Sequence, residues 1–125
     1  MIYLTFEQVI EVHDALIQQF GGLLGIRERG LLESALAAPM MAVFGEELHK
    51  SVYNKAAAYL FYIARNHPFL DGNKRTASAA ALAFLRANQE TPQYNVDDFL
   101  EFVVLVAEGK ANLNFISSYF EKICS

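Results

Sequence analysis

The sequence predicts an all-α fold of about six helices. First, apolar side chains recur at helical spacing in one segment after another. Second, these segments are separated by glycine, proline and other residues that end helices. Third, the alternating polar and apolar pattern of strands is nearly absent. Since no Ser/Gly-rich or Pro-rich linker divides the 125 residues, we expect one domain spanning residues 1–125.

The first helix is predicted to follow Thr5. Thr5 and Gln8 have the spacing of a capping box, and Gly21-Gly22 ends the pattern. Six side chains between these signals recur at helical intervals, namely Phe6, Val9, Ile10, His13, Ile17 and Phe20.

The region that follows is predicted to be less regular. Leu31–Ala38 is rich in leucine and alanine and is closed by Pro39, which suits a helix of about two turns. The stretch Met40–Lys50 mixes methionine, valine, phenylalanine and glycine. It is interpreted either as a mobile apolar loop next to a site or as part of the core.

A central antiparallel pair of helices is predicted over Ser51–Asn66 and Asn73–Asn88, joined by the loop His67–Gly72. The second helix of the pair is rich in alanine, whose small side chain allows close packing. Two further amphipathic helices are predicted over Val96–Glu108 and Asn114–Ile123.

Composition and charge argue against several classes of protein. The 14 acidic residues outnumber the 10 basic ones, which argues against direct binding of nucleic acid. No apolar run approaches the length of about 18 residues that spans a bilayer, and the N-terminus lacks a signal-peptide pattern. We therefore expect a cytoplasmic protein without a membrane segment. The single cysteine, Cys124, excludes an intrachain disulfide.

The loop between the central helices begins with His67 and Pro68. Proline disfavours helical conformation in the residue before it, so the helix is expected to end at His67 and present the imidazole there. Asp71-Gly72-Asn73 supplies a carboxylate, a residue free to adopt positive φ, and a potential helix N-cap. Together these residues favour a turn whose backbone N–H groups bind an anion.

Lys74 and Arg75 then fall in the first turn of the next helix, where the macrodipole makes cations unfavourable. A bound phosphate would offset both charges, and helix N-termini commonly bind phosphate. For either cation alone, a side chain extending into solvent is the simpler interpretation. The pair, joined to the preceding turn, favours a phosphate site.

His67 and Asp71 add the components of phosphoryl transfer. Histidine is a base near neutral pH, and a carboxylate is the hard oxygen ligand that holds Mg²⁺ beside nucleotide phosphates. The hypothesis is that His67 removes the proton of an acceptor hydroxyl. Mg²⁺, Lys74, Arg75 and the helix N-terminus would stabilise the charge on the nucleotide.

The segment His67–Arg75, HPFLDGNKR, closely resembles the signature of the Fic/Doc superfamily. Upstream segments resemble its Doc (death-on-curing) branch, namely His13-Asp14, Phe20-Gly21-Gly22, Gly25-Ile26-Arg27, Gly30–Ala35 and Lys55-Ala56-Ala57. The resemblance extends to about residue 90 and implies a Fic-like domain built around the central helix pair.

By position, the resemblance implies a role for each residue of the loop. His67 would be the general base, Asp71 the Mg²⁺ ligand, and Phe69 a core anchor. The phosphate cradle for ATP would consist of Gly72, Asn73, Lys74 and Arg75.

Two positions depart from the adenylylating Fic pattern, which has glycine where Lys74 stands and a second arginine where Ser78 stands. Both differences favour the Doc branch, whose members transfer the terminal phosphate of a nucleotide to a threonine of elongation factor Tu and so halt translation. The resemblance therefore implies a toxin with protein kinase activity. Fic-type AMP transfer is one alternative, and a non-catalytic module that binds nucleotide, a protein partner or DNA is another.

Doc-like toxins are held inactive by a Phd-like antitoxin, whose C-terminal segment folds into a groove on the toxin. The resemblance implies such a partner here, and the hydrophobic content of 54% is consistent with an apolar groove. Self-association into a homo-oligomer is the simpler competing use of that surface.

Four further polar residues have simpler interpretations that require no catalytic role. His13 is expected to be a buried structural histidine. His49, beside two glutamates, is expected in a solvated loop rather than in a metal site. Arg65 and Asn66 are second-tier candidates for contact with substrate or nucleotide, because solvation of a helix end explains them equally well.

Overall fold

Two 15-residue helices joined by the motif loop form the centre of the fold. The computed structural model describes residues 1–125, and the central pair is α3 (Val52–Asn66) and α4 (Asn73–Ala87). These two helices pack on each other more extensively than any other pair. The predicted central pair is confirmed.

Four helices surround this pair: α1 (Phe6–Phe20), α2 (Arg29–Ala37), α5 (Val96–Ala107) and α6 (Leu113–Ile123). Helix α1 packs on α4, α2 and α6 pack on α3, and α5 contacts both central helices. All six helices begin and end within about two residues of the predicted bounds. The all-α prediction is therefore confirmed, with α2 continuing into a short 3₁₀ turn, Ala38–Met40.

Small side chains let the central helices pack closely. Seven alanines on the pair are fully buried, namely Ala56, Ala57, Ala58 and Ala64 on α3 and Ala77, Ala80 and Ala81 on α4. Larger buried side chains, including Tyr59, Leu60 and Phe84, fill the space around them. The predicted slim profile of α4 is confirmed.

The helix starts follow from local hydrogen bonds. The predicted capping box is present, since the Gln8 amide donates to Thr5 Oγ1 at 3.1 Å and the Thr5 amide donates to Gln8 Oε1 at 2.8 Å. Ser51, Asn95 and Asn112 cap α3, α5 and α6 in the same manner, each accepting from a backbone amide three residues ahead.

The stretch after α2 forms a small hairpin that the sequence did not predict. Strands β1 (Ala42–Val43) and β2 (Glu46–Glu47) pair antiparallel around Phe44 and Gly45, with φ of 52° and 81°. Two successive residues with positive φ suit a two-residue hairpin turn. The signal was missed because phenylalanine rarely adopts this conformation. Residues 40–48 are exposed, so the interpretation as core is wrong.

A buried lysine attaches this hairpin to α3. Lys55 is 1% exposed, and its Nζ donates to the carbonyls of Pro39 at 3.3 Å and His49 at 2.6 Å. It also forms an ion pair with Glu47 at 3.1 Å. The charge is thus fully partnered. His49 is half-buried rather than solvated, and burial together with nearby Lys55 lowers its pKa.

Exposed apolar side chains concentrate in three regions. One is the hairpin region, one is the outer face of α5, and one lies beside the motif loop, where Phe20, Leu23, Leu24 and Leu70 are about half or more exposed. None of the helices has both the length and the apolar character required to cross a bilayer.

Candidate functional site

The motif loop begins where α3 ends, at His67, which has φ 49° and ψ 58°. The predicted helix end is confirmed, and the left-handed conformation turns the chain sharply before Pro68. The His67 side chain is exposed. Arg27 stabilises this turn, since its Nε donates to the His67 carbonyl at 2.7 Å and its Nη2 to the Asn66 carbonyl at 2.9 Å. These bonds satisfy carbonyls that a helix end leaves without partners.

The connector between α1 and α2 braces the loop from one side. The Arg27 amide donates to the Pro68 carbonyl at 2.8 Å, and the Leu70 amide donates to the Gly25 carbonyl at 3.1 Å. Ile26 and Phe69 form an isolated antiparallel bridge between these bonds. The loop is therefore held by main-chain bonds to a distant part of the chain.

Phe69 anchors the loop in the core, as predicted, and is 1% exposed. The Asn73 side chain closes the loop, because its Oδ1 accepts from the Phe69 amide at 2.9 Å and its Nδ2 donates to the Phe69 carbonyl at 3.0 Å. The expected N-cap role of Asn73 is wrong. Gly72 is the N-cap of α4, and Asn73 is the first residue of the helix.

Asp71 is exposed, yet backbone amides orient its carboxylate. Oδ1 accepts from the Gly72 amide at 2.9 Å, and Oδ2 accepts from the Leu23 amide at 3.2 Å. Each oxygen keeps a further lone pair. No cluster of three or more His, Cys, Asp or Glu side chains surrounds it. One carboxylate fits Mg²⁺, which takes one or two protein ligands and completes its shell with phosphates and water.

The start of α4 has the features of an anion site. Gly72 has φ 74°, as expected for this turn, and no side chain caps the helix. The first amides of α4 therefore lack helical partners. Lys74 and Arg75 are exposed and form no ion pair with a carboxylate. The Arg75 guanidinium lies 4.1 Å from the centre of the Phe20 ring, which restricts its position.

A cavity of about 300 Å³ brings most of the candidate residues together. Its polar side consists of residues 71–75 and Ser78, and its apolar side is supplied by α5 through Leu100, Val103 and Val104. His67 does not line this cavity but lies on the same loop. A nucleotide matches the two sides of this cavity, since its phosphates are anionic and its base is flat.

Sequence reasoning missed the roles of Phe20, Gly22, Leu23 and Arg27, which lie far from the motif in sequence. Three of them fall in the upstream segments that resemble the family, and that was the available signal. Arg65, a second-tier candidate, instead donates to the Ala107 carbonyl at the end of α5, at 3.4 Å.

The fold and the loop define a class: a small helical domain whose central helix pair presents a turn with free amides and two cations to one cavity. A family model described as the Fic/DOC family matches residues 3–85, and the chain belongs to this family. The family resemblance predicted from the motif is confirmed.

Two characterised relatives lie in the Doc branch. The chain is 42% identical over 101 residues to "Toxin Doc" of Mycolicibacterium smegmatis, covering 79% of this chain and 78% of that protein. It is 31% identical over 123 residues to "Protein kinase doc" of Escherichia phage P1, covering 98% of this chain and 96% of that protein. Similarity to the second therefore extends over nearly all of both chains.

Proposed function

We propose that this protein is the toxin of a toxin–antitoxin pair and a Mg-ATP-dependent protein kinase. It transfers the γ-phosphate of ATP to a hydroxyl, a threonine by family resemblance, on a translation factor such as elongation factor Tu, and so blocks translation. The observation that carries the proposal is the cavity at the start of α4, where unpaired cations and free amides adjoin an oriented carboxylate.

The cradle supports phosphate binding through both charge and main-chain donors. The free amides of α4 and the positive end of its dipole favour an anion, and Lys74 and Arg75 add two charges. Asp71 is the residue that would hold Mg²⁺, and the bound ion would neutralise charge on the phosphates. The apolar wall from α5 is suited to contact with the base of the nucleotide.

The transfer step needs an acceptor oxygen, a base and charge stabilisation. His67 accepts the proton as the acceptor oxygen forms a bond to the γ-phosphorus. The bond from that phosphorus to the bridging β–γ oxygen breaks, and ADP leaves with the electron pair. Lys74, Arg75 and the α4 amides stabilise the negative charge that develops on the phosphoryl oxygens.

Phosphoryl transfer is preferred over AMP transfer for two reasons. Position 78 is a serine whose Oγ donates to the Lys74 carbonyl at 2.8 Å, so it adds no second arginine to the cavity. The phage P1 relative, similar over nearly the whole chain, is called a protein kinase.

The deciding experiment incubates purified protein with Mg²⁺, elongation factor Tu and ATP labelled at either the γ- or the α-phosphate. Label transferred from the γ position supports a kinase. Label transferred from the α position contradicts it in favour of AMP transfer. No transfer to the factor or to any protein of a cell extract supports a non-catalytic binding module.

His67→Ala is the matched variant. Because this side chain is exposed, the variant is expected to fold normally, while transfer falls by about 10²- to 10⁴-fold through loss of the base. Arg29→Ala, an exposed change on α2, serves as the control that retains transfer. Full transfer by His67→Ala would refute the role of His67 as base.

The antitoxin completes the proposal. A Phd-like partner with a segment that folds on binding would cover exposed apolar surface on the toxin. Growth arrest on expression, relieved by a co-expressed antitoxin, is the expected result. A chain that forms a stable homo-oligomer and does not affect growth would instead favour self-association.

A further inference from the structure

His13 lies in the middle of α1, far in sequence from the motif, yet it contacts the motif loop directly. Its side chain is 1% exposed. Its ring is parallel to that of Phe69, with centroids 3.8 Å apart and an angle of 7° between the planes. Its Nε2 lies 2.8 Å from the carbonyl oxygen of Asp71. Because a carbonyl only accepts, Nε2 is the donor.

We propose that His13 is a positioning residue that holds the Asp71–Gly72 peptide unit, and through it the Asp71 carboxylate. The catalytic consequence rests on the proposed function, but the effect on loop geometry does not. His13 would act from outside the motif, through the backbone rather than on the substrate.

A single peptide unit connects the imidazole to the carboxylate. A peptide group is planar, so the Asp71 carbonyl and the Gly72 amide rotate together. His13 holds the oxygen of this unit, and Asp71 Oδ1 accepts from its N–H at 2.9 Å. Fixing the oxygen therefore fixes the amide, and the amide orients the carboxylate whose other oxygen accepts from Leu23.

Simple filling of the core does not explain a histidine at this position. A buried imidazole is unfavourable unless its nitrogens have partners, whereas an aromatic hydrocarbon would stack on Phe69 equally well. Both nitrogens face oxygen acceptors, Nε2 the Asp71 carbonyl and Nδ1 the Asp14 carboxylate at 3.0 Å, so both donate in this arrangement. A Cβ at position 72 would lie 3.6 Å from Nε2, so the ring also packs beside Gly72.

Two substitutions separate stacking from hydrogen bonding. His13→Phe keeps the ring stack on Phe69 and removes the donor, whereas His13→Gln keeps a donor and removes the stack. Ile116→Val, a change in the buried face of α6, is the control for a general loss of stability.

The primary readout is backbone amide hydrogen exchange of the full chain, measured by NMR without nucleotide or metal. His13→Phe is expected to accelerate exchange at Gly72 and Leu23 by about tenfold or more, while the amides of α6 keep their rates. In the labelled-ATP assay, kcat of this variant is expected to fall by about 10²-fold. His13→Gln is expected to recover much of the slow exchange and much of kcat. Ile116→Val is expected to leave both the exchange rates and kcat unchanged.

Two results would overturn the proposal. One is His13→Phe with unchanged exchange at Gly72 and Leu23, and the other is a wild-type NMR spectrum in which Nε2 carries no hydrogen. The NMR measurement on the wild type needs no variant. It can therefore contradict the proposed hydrogen bond from Nε2 even if both substitutions prevent folding. Faster exchange in His13→Phe, together with no transfer by the wild type, would support the positioning role and refute the kinase proposal.

Discussion

At the scale of single residues, the site depends on positions that contribute no chemistry of their own. Gly22 is an example, with φ 124°. A Cβ at this position would lie 2.6 Å from Asp71 Oδ2, closer than real side chains approach. The missing side chain is what allows the neighbouring Leu23 amide to reach the Asp71 carboxylate.

Gly22→Ala is therefore expected to displace the Asp71 carboxylate and to reduce transfer by at least about tenfold. Gly21→Ala is the matched control, because Gly21 also has positive φ, 86°, but nothing lies within 4 Å of its added Cβ. Both changes are expected to cost about 1 kcal/mol in stability. Thermal unfolding measures the cost in stability, and transfer kinetics measure the effect on activity. Equal activity of the two variants would contradict the role of Gly22 in placing the Asp71 carboxylate.

Arg27 acts on the other end of the loop. Arg27→Ala removes two donors from the carbonyls of Asn66 and His67, so the backbone turn that presents the His67 imidazole is expected to become more mobile. Transfer is expected to fall by up to about 10²-fold, mainly in kcat. Arg27→Lys, which lacks the planar fork, is expected to recover little. Wild-type kcat in Arg27→Ala would show that the backbone turn alone positions His67.

At the scale of elements, the motif loop is closed by the Asn73 side chain and braced by the α1–α2 connector. The six helices themselves were predictable, because capping residues and apolar periodicity are local signals. The hairpin at residues 42–47 was not, since its two-residue strands are too short to show a pattern.

Asn73→Ala removes both bonds to the Phe69 backbone and is expected to lower the free energy of unfolding by about 2 kcal/mol. It is also expected to reduce transfer, because Asn73 belongs to the proposed phosphate cradle and is the first residue of α4. Asn95→Ala is the comparison: it removes the N-cap of α5, costs about 1 kcal/mol, and leaves transfer intact. Chemical denaturation and the labelled-ATP assay distinguish the two, and loss of stability in Asn73→Ala without loss of transfer would limit Asn73 to a structural role.

At the scale of the whole molecule, Tyr59 connects the N-terminal segment to the core. Its hydroxyl oxygen accepts from the Leu4 amide at 3.0 Å, and its ring packs on Phe84 with centroids 5.0 Å apart. Burial raises the pKa of Tyr59 from 10.0 to about 12, against the opposing effect of the Leu4 bond. A hydrogen bond to Glu90 raises the pKa of Tyr53 to about 12 as well.

These raised pKa values predict a loss of stability in alkali. The unfolded chain releases these protons near pH 10, whereas the folded chain retains them until about pH 12. The contribution is therefore complete below pH 10 and is lost as the pH rises towards 12. Urea unfolding across this range is expected to show a decline that Tyr59→Phe reduces but does not abolish, because Tyr53 remains. A wild-type free energy of unfolding that does not change over this pH range would contradict the raised pKa values of the two tyrosines.

The sequence by itself determined the helices, the central pair, the end of α3 at His67 and the glycine and cations at the start of α4. These features depend on residues that are close together in the chain, so local sequence patterns predict them. It misassigned Asn73 as a cap, because the competing partner, the backbone of Phe69, becomes available only when the loop folds back.

Only the tertiary structure decided what holds the loop in place. His13, Phe20, Leu23 and Arg27 contact residues 39 to 58 positions away, and no local pattern encodes such pairings. The apolar wall of the cavity likewise comes from α5, which packs beside the loop only in the assembled fold. The residues proposed to carry out the chemistry are thus concentrated in one segment. Their orientation depends on packing between distant segments, and a single sequence does not reveal that packing.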